Sequence, residues 1–199
     1  MEHSVQTFND HPGIDQVVIV TSPDFIQKVE GIVKANGWTK ITAILPGGKE
    51  RYDSSLAAVR HFSNNPDLVM LFHDAARPLV SARIISDTLK AMESFNAVDV
   101  AIPAVDTIVQ CDAAGTVMES VQNRNLLWRM QTPQGFRQKT IAQAYQIALK
   151  DPQFTATDDC GTVLRYLPDE KVGIVQGDEK NIKLTYADDL PLMEFLLSL

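Results

Sequence analysis

The sequence predicts an α/β protein built on a three-layer, mostly parallel sheet. Short apolar runs of strand length alternate with segments whose apolar residues recur at helical spacing, which is typical of parallel strands joined by helices. The chain has 199 residues, a length that suits one domain with a single core. Hydrophobic residues make up 45% of it and charged residues 22%, which indicates a globular protein rather than a disordered one.

The predicted elements follow one another with few interruptions. The chain begins in a helix that places Val5 and Phe8 on one face. Strands are predicted at 16–23, 41–46, 68–72, 97–105 and 171–177. Further helices are predicted at 23–37, 54–64, 137–150, 158–166 and 187–198, and one more begins after an N-cap at Ser81.

Residues 106–122 depart from this alternation. Two β-favouring stretches flank the sequence DAAG, and this pattern predicts a β-hairpin. Because the hairpin interrupts the strand–helix order, we expect it to project from the single domain that spans residues 1–199.

Charge and composition exclude several classes of protein. The net charge of −7 argues against general nucleic-acid binding, although an anionic substrate could still meet a local positive pocket. No apolar stretch approaches the roughly 18 residues of a membrane span, and the N-terminus lacks the features of a secretory signal. Cys111 and Cys160 match no metal-binding spacing. We therefore expect a cytoplasmic protein with no nucleic-acid or membrane partner.

Polar residues follow several strands, where an open parallel sheet binds its ligands. They are Gly47, Gly48, Glu50, Arg51, Asp53, Ser54, His73, Asp74, Arg77, Asp106, Thr107, Asn181 and Lys183. Together they suit an anionic, hydroxylated ligand. Each also has a structural interpretation: the glycines could form a simple turn, Asp74 could cap a turn, and Arg77 could form a surface ion pair. We interpret His73 as a residue that orients the backbone rather than as an acid or base.

Six ordered motifs carry a resemblance that covers nearly the whole chain. The motifs are GGKERYDSS, FHDAARP, PAVDTI, RNLLWRMQTPQGF, TDDC and GDEKNIKLT. In these motifs the chain resembles the cytidylyltransferases of the isoprenoid and teichoic-acid type, which act on 2-C-methyl-D-erythritol 4-phosphate or on ribitol 5-phosphate. The resemblance implies a Rossmann-like nucleotidyltransferase sheet, and a reaction in which CTP and a polyol phosphate give a CDP-polyol and pyrophosphate with Mg²⁺. It also implies a homodimer interlocked by a β-arm, the role expected of residues 106–122.

The resemblance also assigns roles to individual residues. The nucleotide-binding residues are Gly47, Gly48, Ser54, Asp74 and Ala75. The polyol-phosphate-binding residues are Arg77, Thr107, Arg124, Thr132 and Thr157. The catalytic residues are Lys183, Arg124 and Asp74, and Asp74 is also the expected metal ligand. Lys183 matches the lysine that neutralises the α-phosphate, and Arg124 is expected to act across the dimer.

One block of the family pattern has no match. A first strand and a glycine-rich loop with an arginine and a lysine for the CTP phosphates are absent, and the chain aligns from the helix that follows them. We therefore expect a truncated domain that lacks a central strand, with weak or no activity and poor stability.

The identity of the acceptor stays open between two substrates. The motifs HDAARP, LW before QTPQ, and TDD favour methylerythritol phosphate, whereas GGKERYDSSLAAV and NAVDVAIPAVDTIV favour ribitol phosphate, including forms fused to a reductase. Methylerythritol phosphate is the leading prediction. The alternatives are a sugar-1-phosphate nucleotidyltransferase, and a truncated homologue without activity that only binds nucleotide or dimerises.

Overall fold

The computed structural model describes residues 1–156 and 158–198. Its helices are α1 (Glu2–Asp10), α2 (Ile26–Asn36), α3 (Arg51–His61), α4 (Ala82–Ala91), α5 (Gln138–Ala148), α6 (Asp159–Tyr166) and α7 (Leu190–Leu197). Its strands are β1 (Val17–Thr21), β2 (Ile41–Pro46), β3 (Val69–Phe72), β4 (Ala97–Pro103), β5 (Val109–Cys111), β6 (Met118–Val121), β7 (Trp128–Met130), β8 (Gln134–Arg137) and β9 (Val172–Gln176). No helix in the described part of the chain is both long and apolar enough to cross a membrane.

The five strands predicted from the sequence are present as β1, β2, β3, β4 and β9. β1 and β2 are parallel, and so are β4 and β9. β3 and β4 are both antiparallel to β8, so they run in the same direction as each other. Within each sheet the predicted strands are therefore parallel to one another, as strands joined by helical connections usually are.

The five-stranded sheet is mixed because it includes two strands that the sequence pattern did not reveal. β8 lies between β3 and β4, and β7 pairs with the second half of β4. β7 reads Trp-Arg-Met and β8 reads Gln-Gly-Phe-Arg, so neither has the apolar run of a buried strand. Their pairing depends on tertiary contacts with β3 and β4 rather than on local propensity.

Helices cover both faces of this sheet and produce the predicted three layers. One core cluster joins α3, α5 and α6 to the face of β4 that carries Ala97. A second cluster joins α1 and α4 to the opposite face, which carries Val98 and Val100. The N-cap predicted at Ser81 is confirmed, since its hydroxyl accepts the Ile84 amide.

Helix α3 begins three residues earlier than the sequence pattern indicates. Glu50 is its N-cap, and the Glu50 amide donates to the Asp53 carboxylate at 3.0 Å, while the Glu50 side chain accepts from the third helical amide. This reciprocal capping box places Arg51 at the first helical position. The polar residues after β2 are consequently held at the start of a helix.

Residues 106–122 form the hairpin that the sequence predicts. β5 and β6 are antiparallel and pair with no other strand among the described residues. The Asp112 carboxylate accepts the amides of Thr116 and Val117, and Gly115 takes a φ of +69°, a left-handed conformation that glycine adopts easily. Every residue of both strands is exposed. We call this hairpin the arm.

A cavity of about 880 Å³ separates the two sheets of the body. All five residues of β1 and all four of β3 line it. β1 pairs only with β2, and β3 pairs only with β8, so within the described residues one edge of each strand has no partner strand. The cavity is therefore bordered by β1 from one sheet and β3 from the other.

Candidate functional site

The cavity lining includes polar residues that lie at the ends of separate strands. The lining there includes Arg51 and Ser54 from the start of α3, Asp74 and Ala75 from the segment after β3, and Thr132 from the segment before β8. Ser54, Asp74, Ala75 and Thr132 were predicted site residues, and the fold brings them to one cavity as expected. Arg51, one of the polar residues after β2, lines the same cavity, although neither the sequence pattern nor the resemblance assigns it a role.

His73 and Thr132 fix the backbone at the end of β3. The Thr132 hydroxyl accepts the Asp74 amide at 3.1 Å and lies 2.9 Å from His73 Nδ1, while His73 Nε2 lies 3.0 Å from the Arg77 carbonyl oxygen. A carbonyl can only accept, so Nε2 carries the proton, and the Thr132 hydroxyl donates to Nδ1. Burial lowers the pKa of His73 to about 4, and the ring is therefore neutral at physiological pH. This geometry agrees with the structural role expected of His73.

Asp74 is the acidic centre of the site. Lys183 Nζ lies 2.9 Å from Asp74 Oδ2, and Arg77 Nε lies 3.7 Å from the same oxygen. Burial opposes ionisation of Asp74, but Lys183, Arg51 and Arg77 together hold its pKa below the usual value. The Asp74 carboxylate is therefore charged at neutral pH and is surrounded by three cationic side chains.

Lys183 reaches Asp74 because the segment after β9 is bonded to the rest of the site. The Leu184 amide donates to the Ala76 carbonyl at 2.8 Å. The fully buried Asn181 donates to the Thr132 carbonyl at 2.9 Å and to Gln131 Oε1 at 3.3 Å. These bonds connect the predicted catalytic lysine to the segments that carry Asp74 and Thr132.

Arg77 binds the protein's own backbone in this structure. Its Nη1 donates to the Asn181 carbonyl at 2.8 Å, and its Nη2 donates to the Met130 carbonyl at 3.3 Å. The side chain is largely buried, with 12% of its surface exposed. Arg77 therefore joins three segments of the site. Its predicted contact with a polyol phosphate stays a prediction.

Gly47 and Gly48 form the turn between β2 and α3. The Gly47 amide donates to the Thr21 carbonyl at 2.7 Å. A Cβ atom at Gly47 would lie 2.7 Å from Ser54 Oγ, and one at Gly48 would lie 2.4 Å from Asp53. Neither position has room for a larger side chain in this conformation, so the turn brings backbone close to Ser54.

Two predicted polyol-phosphate residues lie away from the cavity. Thr107 is exposed at the base of the arm, and Arg124 Nη1 donates to the Val105 carbonyl at 2.9 Å. Their predicted role would require the arm to approach a site, as it would in the expected dimer. Thr157 lies outside the described residues.

Asp159 marks a cluster that sequence reasoning missed. It is fully buried at the start of α6, where Arg51 Nη1 lies 2.9 Å from its Oδ2, and the Tyr145 hydroxyl donates to its Oδ1. The motif TDD contributes to the family resemblance but assigns no role to Asp159, and Tyr145 has the spacing of an ordinary core residue in α5. Long-range partners of this kind leave no local pattern in a sequence.

The carboxylates of the site suit a metal ion bound mainly through substrate. Among the described residues no group of three or more His, Cys, Asp or Glu side chains could hold a metal ion. Mg²⁺ typically uses one or two protein carboxylates together with substrate phosphates and water. Asp74, a carboxylate on the cavity wall, fits that kind of site.

Comparisons with known proteins identify close relatives. The family model described as IspD, 2-C-methyl-D-erythritol 4-phosphate cytidylyltransferase, matches residues 1–199. A 2-C-methyl-D-erythritol 4-phosphate cytidylyltransferase of Thermobifida fusca is 46% identical over 201 residues, which cover 99% of this chain and 81% of the relative.

A second relative has a different name. The bifunctional ribulose 5-phosphate reductase/CDP-ribitol pyrophosphorylase Bcs1 of Haemophilus influenzae is 40% identical over 191 residues, which cover 96% of this chain and 40% of that protein. Among solved structures, the 4-diphosphocytidyl-2C-methyl-D-erythritol synthase of Anaerococcus prevotii matches with a TM-score of 0.90 and 26% identity. That match covers all of this chain and 85% of the other.

Proposed function

The chain belongs to the 2-C-methyl-D-erythritol 4-phosphate cytidylyltransferase family, and from this premise we propose that it transfers CMP from CTP to 2-C-methyl-D-erythritol 4-phosphate. The products are a CDP-polyol and pyrophosphate. The pairing of Asp74 and Lys183 at the edge of the cavity is the observation that carries the proposal.

The reaction joins two anions, and the site has the charges that this requires. A phosphate oxygen of the polyol phosphate attacks the α-phosphorus of CTP. The new O–P bond forms as the bond from the α-phosphorus to the bridging oxygen breaks, and pyrophosphate leaves with that electron pair. No covalent bond to the protein is needed, so catalysis depends on orientation and on neutralising charge.

Lys183 supplies the mobile positive charge of the site. In this structure its Nζ lies 2.9 Å from Asp74 Oδ2 and neutralises that carboxylate. Its side chain is about half exposed, at 47%, so it can turn from Asp74 to the α-phosphate when CTP binds. Its contact is then strongest when negative charge builds up on the α-phosphate, which lowers the barrier rather than only improving binding.

Asp74 becomes available for a second role when Lys183 turns to the phosphate. Members of the family are cytidylyltransferases. We propose that this chain uses Mg²⁺, which the Asp74 carboxylate and the phosphates of CTP would hold. A bound Mg²⁺ would offset the negative charge of the phosphates. The Gly47–Gly48 turn and Ser54 would hold the cytidine, and Thr132 would face the polyol phosphate.

The arm supports the proposal of a homodimer. Its Val109, Met118 and Val121 are 41%, 61% and 59% exposed, and monomeric proteins rarely leave such a group of apolar side chains in water. A second copy that covers the arm would also bring Arg124 and Thr107 towards a site. The two free thiols, Cys111 and Cys160, fit the reducing cytoplasm that we propose as its location.

The Haemophilus relative makes ribitol 5-phosphate the second candidate acceptor. That protein is named a CDP-ribitol pyrophosphorylase and is 40% identical to this chain. The two acceptors differ by a branch methyl and in length, a difference that pocket shape can distinguish without a large change in sequence.

Pyrophosphate release with CTP, Mg²⁺ and each acceptor in turn tests the proposal. We expect a higher kcat/KM with 2-C-methyl-D-erythritol 4-phosphate than with ribitol 5-phosphate, and little release from the Asp74→Asn variant. The reverse preference would assign the chain to the ribitol branch. No release with either acceptor would contradict the proposal. It would agree with the weak or absent activity expected from the unmatched block of the family pattern, and it would favour a homologue that binds nucleotide without turnover.

A further inference from the structure

Asp159 is a buried residue whose carboxylate is contacted by two side chains and whose amide is bonded to a third. It has no exposed surface. The Tyr145 hydroxyl on α5 donates to its Oδ1, the Asp159 amide donates to Gln134 Oε1 at 3.3 Å, and Arg51 Nη1 on α3 lies 2.9 Å from its Oδ2. A buried carboxylate is stable only when it is paired and hydrogen-bonded. Burial and the Asp159 charge raise the pKa of Tyr145, so its hydroxyl keeps its proton and continues to donate.

The ion pair between Arg51 and Asp159 is asymmetric. Asp159 is wholly buried, whereas 40% of the Arg51 side chain is exposed on the cavity wall. A guanidinium has five N–H donors. Among the described residues Asp159 is its one ion-pair partner, at Nη1. The rest of the guanidinium is therefore available to the cavity, while the contact with Asp159 fixes its position.

Arg51 differs in this respect from the other two cations near Asp74. The terminal nitrogens of Arg77 bind the carbonyls of Asn181 and Met130, and Lys183 binds Asp74 itself. Arg51 instead lies at the first position of α3, directly after the turn that contains Gly47 and Gly48. It raises the positive potential around Asp74, whose pKa it helps to lower.

We propose that Arg51 binds a phosphate of the nucleotide and that the buried Asp159 and Tyr145 hold its guanidinium in place. The proposal rests on the proposed function, because it takes the nucleotide to be CTP. An arginine fork matches phosphate oxygens in a bidentate way, and prior fixation by Asp159 reduces the side-chain entropy lost on binding. The competing explanation is that Arg51 only neutralises Asp159 and stabilises the fold.

A set of variants separates these explanations. Arg51→Gln removes the charge from the cavity but leaves Asp159 unpaired. Asp159→Asn combined with Arg51→Gln restores a neutral buried pair, in which the amide oxygen of the introduced asparagine can still accept the Tyr145 hydroxyl. Arg51→Lys keeps a charge without the fork. Arg60→Gln, at an exposed position near the end of the same helix, is the matched control.

Calorimetry with cytidine, CMP, CTP and inorganic pyrophosphate measures the contact directly, and thermal unfolding measures stability. We expect Arg51→Gln to weaken CTP binding by about tenfold or more, since hydrogen bonds between charged groups are strong. Cytidine binding should not change. In the double variant the melting temperature should recover while CTP binding stays weak. Arg51→Lys should be intermediate, and Arg60→Gln should behave as the wild type.

Three outcomes would overturn the proposal: an equal loss for cytidine and CTP, recovery of CTP affinity in the double variant, or pyrophosphate binding that does not depend on Arg51. The pyrophosphate result also distinguishes this proposal from the proposed function. If the wild type binds no cytidine compound but binds pyrophosphate in an Arg51-dependent way, the nucleotide assignment fails and the phosphate role of Arg51 stands.

Discussion

Lys183 is the residue whose contacts change most in the proposed reaction. It neutralises Asp74 at 2.9 Å in this structure and would neutralise the α-phosphate during transfer. The Lys183→Ala variant should therefore lower kcat by about 10²-fold, as the loss of one preorganised transition-state contact does, with a much smaller change in the KM for CTP. Steady-state pyrophosphate release measures both. Lys180→Ala, an exposed lysine of the same segment, is the control, and an unchanged kcat in Lys183→Ala would exclude the role.

His73 makes the stability of the fold depend on pH. Its pKa is about 4 when folded, against about 6.5 for a free histidine. The unfolded chain therefore binds a proton as the pH falls below 6.5, while the folded protein does not until about pH 4. The neutral His73 ring makes its full contribution to the free energy of unfolding above pH 6.5. That contribution is lost as the pH falls from 6.5 to 4. A shift of this size corresponds to about 3 kcal/mol.

Urea unfolding of the wild type and of His73→Gln between pH 7 and 4.5 tests this prediction. Glutamine can still donate to the Arg77 carbonyl but does not titrate, so the variant should lose less stability than the wild type as the pH falls. Burial raises the pKa of Asp99 to about 6, so protonation of Asp99 increases stability as the pH falls. This effect is the same in the wild type and the variant and cancels when their stabilities are subtracted. His61→Gln, at an exposed position on α3, should follow the wild type, and parallel curves for His73→Gln would refute the prediction.

The residues that sequence could identify are those that follow strands. Lys183 lies 2.9 Å from Asp74, and Ser54 and Asp74 line one cavity, because the ends of parallel strands meet at one edge of a sheet. Their roles in the site stay predictions. Asp159, Tyr145 and Gln134 could not be placed, because their roles depend on contacts between α5, α6 and β8 that no local spacing reports. The capping-box position of Glu50 was readable in principle, from an acidic residue three positions before Asp53.

At the scale of elements, the sequence pattern predicted the helices and strands whose formation depends mainly on residues close together in the chain. Strands with apolar runs, amphipathic helices and the hairpin turn were all found. β7 and β8 were not, because strands of three and four residues with polar side chains are stabilised only by the neighbours that pair with them. Because β7 and β8 are the strands that run antiparallel to β3 and β4, the sequence pattern could not show that the central sheet is mixed.

The arm has one apolar and one polar face, and only the apolar face is expected to bind a second copy. Val109 lies directly opposite Val121, whereas Gln122 on the other face donates to Gln110 and Ser120. Val121→Asp should convert the proposed dimer to a monomer in light scattering coupled to size exclusion, because a charge would have to be buried. Ser120→Lys on the polar face should leave the dimer intact. A dimer that persists in Val121→Asp would show that the arm is not the interface.

At the scale of the whole molecule, the cavity divides the fold into regions of unequal stability. β4 is paired on both sides, by β9 on one and by β8 and β7 on the other. β1 and β3 each have one edge on the cavity. Unpaired backbone groups exchange their amide hydrogens without global unfolding.

Hydrogen exchange should therefore report the two regions separately. Amides of β1 and β3 that point into the cavity should exchange orders of magnitude faster than those of β4, whose exchange should follow global unfolding. Peptide-level mass spectrometry across residues 17–21, 69–72 and 97–103 makes the comparison. Uniform protection of all three segments would contradict this prediction.

The cavity also means that the proposed site takes its residues from two sheets rather than from one. The Gly47–Gly48 turn is bonded to β1, while Asp74 and Lys183 are joined to the five-stranded sheet. A nucleotide that touches both would connect the two sheets across the cavity. The bound nucleotide would then act as a cross-link of the fold: saturating CTP should raise the melting temperature, and the gain should grow with ligand concentration as mass action requires.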